Sequence, residues 1–227
     1  MRFMTIGPDG GMGGPSGSSY CGIFSTTTRE GLVTHLSRLR FSGWVGPQEG
    51  PWVVAVPARL RGAVAGDKMT AADVARALSA TGTGPAFCAV VRDDKLLMLQ
   101  AYDVGEAIMT YYSDPTVVDP YNDELTSDPM GAQDAPALAA ALGRPEVGEQ
   151  LEELLEEELG ESENESERIT KALRLLGVPA WVVSSETLPK DVPAGPRAKD
   201  FTRLGAGKEG VSGRLDEAVR GIVRTKK

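Results

Sequence analysis

Histidine and cysteine are almost missing from this chain. Among 227 residues there is one of the first, His35, and two of the second, Cys21 and Cys88. Zinc held by nitrogen and sulfur needs three or four such ligands converging, and this inventory leaves no such set. Both cysteines sit in short apolar runs, 20–24 and 86–91, and read as buried, reduced thiols that behave as small hydrophobes. Nothing marks the chain for an oxidising compartment, so a disulfide scaffold is not expected. Long hydrophobic runs are missing too. The longest, such as 52–57 and 96–99, fall far short of the roughly 18 residues of a membrane span. The first residues lack a charged region followed by an apolar stretch, so no secretory signal is expected. With 41% hydrophobic and 25% charged residues, the composition is that of a globular chain long enough to bury a core. The expectation is a soluble protein of the reducing cytoplasm. Arg outnumbers Lys 16 to 8, a usage typical of GC-rich coding and of a bacterial source.

Recognisable motifs are also scarce. Gly205-Ala206-Gly207-Lys208 resembles a phosphate loop only superficially, because it lacks the first glycine at the required distance and a hydroxyl residue after the lysine. The run 10–14 follows no strand and precedes no helix. Cys21 with His35 would make a nucleophile and base if both side chains shared a cleft, but no flanking signature supports the pair. No catalytic residue, metal ligand or cofactor is therefore expected.

Charge segregation is what the chain has in abundance. Residues 1–95 carry a net +3, residues 96–167 a net −18, and residues 168–227 a net +7, within a total of −8. Eleven glutamates fall between Glu146 and Glu167.

Periodicity predicts an α+β fold. It comprises a mixed, mainly antiparallel sheet of about five strands that includes a three-strand meander, two packed helices and a C-terminal helical section. Strands are expected at 20–26, 52–57, 86–91, 96–102 and 107–112, with a further one at 180–185. The run 52–57 is apolar throughout, as in a strand buried on both faces. Thr28 and Thr70 read as helix N-caps, the latter with Asp73 as a capping box, and Gly43 as the stop of the first helix. Three more helices are expected from Asp134, over 145–159, and from a Ser162–Glu165 capping box to Gly177-Val178-Pro179. The organisation read from these signals is a flexible tail over 1–18, a sheet domain over 19–113 and an acidic loop over 114–134. A helical section over 135–185 and a basic loop and helix over 186–227 complete it.

Two functions fit these features. The favoured one is a non-enzymatic protein-binding or regulatory module, of adaptor or toxin-neutralising type, whose partner is a protein with a basic surface. Its expected contacts are Glu149, Glu152, Glu153, Glu156 and Glu157 on one helix face, with Tyr112 and Tyr121 as aromatic anchors. The alternative is a metal-dependent hydrolase using the carboxylates of Asp103, Glu106, Asp114, Asp119, Asp123, Glu124 and Asp128, the ligand type that hard cations prefer. Nucleic acid is disfavoured by the negative net charge, and a membrane by the missing span.

Overall fold

A computed structural model describes residues 17–60, 62–117, 121–122, 124–158 and 164–209. Its centre is an antiparallel sheet made of β1 (Tyr20–Ser25), β2 (Gly43–Glu49), β3 (Trp52–Pro57), β4 (Ala86–Arg92), β5 (Leu96–Asp103), β6 (Glu106–Tyr112), β7 (Thr202–Gly205) and β8 (Lys208–Glu209). The spatial order is β6-β5-β4-β1-β3-β2-β7-β8. Every pairing between these strands is antiparallel, and the expected meander is β4-β5-β6. The central strands β1 and β3 are buried along their whole length, β3 as its apolar sequence requires and β1 with Ser25 as its one buried hydroxyl residue besides Tyr20.

The sheet thus has eight described strands rather than about five, and no parallel pair. Three strands hid behind turn-like residues. β2 contains Gly43, Gly46 and Pro47 and carries a bulge between Val45 and Gln48, which breaks the period-two alternation. Gly43 opens this strand instead of closing the first helix. β7 and β8 are short, and their turn, Ala206-Gly207, is what resembled a phosphate loop. Both turn residues have positive φ, at 51° and 82°. Gly207 also packs so closely that a Cβ there would lie 2.3 Å from the Ser37 carbonyl oxygen. The opposite error occurs at 180–185. Trp181–Thr187 is a 3-10 turn in which Trp181, Val182 and Ser185 are buried, a spacing that no strand produces.

Helices cover both faces. On one, α1 (Arg29–Arg38) and α2 (Ala71–Ser79) pack over Cys21, Ile23, Val53, Ala55 and Cys88. The expected caps form: Thr28 accepts from Gly31 N at 3.1 Å, and Thr70 and Asp73 exchange bonds at 3.3 and 2.8 Å. On the other face lie α3 (Ala135–Ala141), α4 (Gly148–Glu156) and α5 (Glu165–Leu175), sharing one apolar core with Phe24, Phe87, Leu99 and Tyr111. The second of these helices is shorter than the expected 145–159, since Pro145–Val147 forms a separate 3-10 turn. The cap of α5 is Asn164, which accepts from Glu167 N at 3.0 Å; Ser162, the expected cap, lies outside the described residues. Gly177 takes a positive φ of 68° and Val178 N bonds Leu173 O at 2.8 Å, so the predicted stop holds. Most of the tail over 1–18 and the final helix expected near 215–223 also lie outside the described residues. Within it, Ser18 N donates to Asp94 Oδ2 at 2.7 Å.

Candidate functional site: the helical layer of α4 and α5

Leu151 and Leu155 are fully buried and orient α4, with Val147 beside them. The remaining surface is acidic. Glu149, Glu153, Glu156 and Glu157 are exposed and Glu152 is half-buried. Such a helix collects negative charge at the end where its own dipole is already negative. A buried arginine answers that problem. Arg168, from α5, donates through Nη2 to the Glu157 carbonyl at the end of α4 and through Nη1 to Tyr111 Oη at 2.8 Å. Tyr111 Oη in turn donates to the Leu155 carbonyl at 2.9 Å. Two of the carbonyls left open by the last turn are thereby satisfied by groups from β6 and α5.

Glu165 completes the arrangement, its Oε2 standing 3.6 Å from Arg168 Nε with both side chains buried. Burial pushes the Glu165 carboxyl above its ordinary range, against the pull of Ser113 and Arg168. Burial likewise raises Tyr111 to about 12. A second clamp fixes the start of α5. Tyr20 Oη donates to Ser166 Oγ at 3.0 Å, and Ser166 Oγ donates to Asp94 Oδ1 in the β4–β5 turn.

α4 and α5 run antiparallel. Glu157 meets Arg168 at one end, and at the other a Cβ on Gly177 would come within 3.0 Å of Arg144 Nη1. Between the helices lies a shallow groove of about 440 Å³ lined by Arg144, Gln150, Leu154, Lys171, Arg174 and Leu175. Its floor is apolar, its α5 wall is basic, and the neighbouring flank of α4 is acidic. Lys171, Arg174 and Leu175 share one helix face by their i, i+3, i+4 spacing.

The sequence-based site is only partly assembled. The five glutamates do share one helix surface. The tyrosines do not join them. Tyr111 faces α4, so Tyr112 points to the other side of the sheet, where it is half-buried in a row with Val90, Met98 and Met130. Tyr121 is 93% exposed in the following loop. Arg168, Glu165 and the basic groove escaped notice because a single Arg in an i, i+3 pair resembles a surface salt bridge. The pairing of Lys171 with Arg174 beside a half-buried leucine was the available signal.

Asp114 is occupied by Thr116 N and Oγ1 at 3.0 and 2.5 Å, and Asp128 by Thr126 Oγ1 at 2.9 Å. Asp119 and Asp123 lie outside the described residues. Among the described residues no group of three His, Cys, Asp or Glu could hold a metal ion. Cys21 and Cys88 are free and buried, two register positions apart on neighbouring strands. Burial pushes both thiols up, Cys88 to about 12, the reverse of what a nucleophile needs. A larger depression, about 660 Å³, lies beside α2 among Asp67, Asp73, Arg76 and Glu106. Its arginine is held by the Gly105 carbonyl at 2.8 Å.

No helix among the described residues is long and apolar enough to cross a membrane. Comparison with models of protein families, with curated proteins and with solved structures finds no match to this chain.

Proposed function

We propose that this protein is a non-enzymatic binding module of the adaptor or neutralising type, and that α4 is its docking face for a protein with a basic surface. One observation carries the reading. Glu149, Glu153, Glu156 and Glu157 remain open to solvent although the chain holds a basic segment of its own. That segment, with Arg197, Lys199, Arg203 and Lys208, leads into β7 and β8 at one edge of the sheet. α4 packs on α3, which lies against β6 at the opposite edge. Dense like charge is costly to hold without an opposing field, and among the described residues the segment 197–208 stands at the other edge of the sheet, which leaves the α5 cations Lys171 and Arg174 as those nearest the glutamates.

The test is affinity capture from the source organism at low salt, with the wild-type chain and with a triple Glu149→Lys, Glu153→Lys, Glu156→Lys variant. The expected result is a partner held by the wild type, lost from the variant, and released as salt shortens the Debye length below about 10 Å. With the purified partner, the variant should slow association more than it speeds dissociation. A variant that retains the same partner with unchanged affinity would refute α4 as the docking face.

A further inference from the structure

We infer that the basic surface meeting α4 is α5 of a second copy of this chain, an inference that rests on α4 being a docking face and names its occupant. The groove between the two helices has an apolar floor, Leu154 and Leu175, both only half-buried. Its lining holds Arg144, Lys171 and Arg174 and no carboxylate, while the exposed flank of α4 beside it is acidic. Glu149 and Glu153 lie on the α4 side, and Lys171 and Arg174 on the α5 side, all four exposed. Because the helices are antiparallel, with Glu157 level with Arg168, Glu153 stands level with Lys171 and Glu149 near Arg174.

A face with this pattern is self-complementary about one axis only. A two-fold axis running along the groove carries α4 of one copy over α5 of the other. The apolar floor of one copy then faces that of the other across the axis, and each pair of glutamates faces the cations of the opposite copy, twice per dimer. The other in-plane axis, across the helices, would set α4 on α4 and acid on acid. In the favoured arrangement every neighbouring helix pair is antiparallel, the geometry of an up-and-down four-helix bundle. α4 has nine residues, about 14 Å of helix, so the shared surface is small. The dimer is accordingly a weak, salt-sensitive one that forms at elevated concentration.

Sedimentation equilibrium on the full chain tests this. The wild type should pass from monomer to dimer with rising concentration at low salt, and return to monomer in high salt. Lys171→Glu with Arg174→Glu places acid opposite acid, and Glu149→Lys with Glu153→Lys places base opposite base, so each variant alone should stay monomeric. Mixed in equal amounts, the two should recover a heterodimer of at least wild-type affinity. A wild-type chain that is monomeric at every concentration overturns the inference. So do single variants that still dimerise, and a mixture that stays apart. If either variant loses its far-UV spectrum, the wild-type dilution and salt series decides alone. A monomeric wild type whose Glu149→Lys, Glu153→Lys variant nonetheless loses a captured partner removes the second copy and leaves α4 as the docking face.

Discussion

Several residues in this chain sit where their own chemistry is poorly served, and they make local predictions. Val104 occupies the first central position of the two-residue β5–β6 turn with a φ of 47°, followed by Gly105 at 80°. A β-branched residue is strained in that region, and Asn is the residue this turn prefers. Val104 is 69% exposed, so little packing is lost on replacing it. Val104→Asn should therefore stabilise the fold by about 1 kcal/mol, read as a rise in Tm of about 2–4 °C for a chain of this size. A lower Tm would mean that the valine side chain is wanted where it stands. Glu165 predicts a pH effect. Its carboxyl is raised above the ordinary value of 4.5, chiefly by burial. The folded state therefore favours its protonated form, and its contribution to stability is fully present below the ordinary value and lost as pH rises through the raised one. Relative to wild type, Glu165→Gln should gain stability with rising pH across the window just above 4.5, measured by urea denaturation at a series of pH values. A difference that does not change with pH would contradict the assignment.

The legibility of elements followed local chemistry. Thr28, Thr70 with Asp73, and Gly177 were readable because caps and stops act within three or four residues along the chain. β2 was not readable, since its place in the sheet is set by β3 and β7 while its own Gly43, Gly46 and Pro47 signal a turn. Trp181-Val182-Val183 looked like a strand, yet Trp181 is recruited to a 3-10 turn by distant partners. Its Nε1 donates to Glu49 Oε1 at 2.6 Å, and its ring packs edge-on against Phe201 at 5.5 Å. The acidic face of α4 was legible as a helical pattern, but what secures it was not, because Arg168 and Tyr111 reach it from elsewhere in the chain. Arg168→Ala should cost about 3–5 kcal/mol by leaving Glu165 buried without its cation. Amides at the end of α4 should then exchange fastest, as the element that has lost its C-terminal donors. A loss well below 1 kcal/mol in urea denaturation would show that water replaces the arginine at no penalty.

At the scale of the whole molecule, the charge blocks seen along the chain are only partly kept apart by the fold. The acidic block supplies α4 on one face of the sheet, while the basic block divides: Arg168, Lys171 and Arg174 of α5 lie beside α4, and 197–208 borders the far edge, where Arg203 lies over the Trp44 ring at 4.3 Å. The sheet stands between the glutamates of α4 and Tyr112, so the expected site divides into two faces that one small partner could not span. The central claim is that binding runs through α4, and amide hydrogen exchange of the wild-type chain with and without its captured partner tests it most directly. The account predicts slowed exchange over 148–157 and along the facing side of α5, abolished at high salt, with β5 and β6 unchanged. Protection centred on β6 and Tyr112, with α4 exchanging as in the free chain, would contradict it.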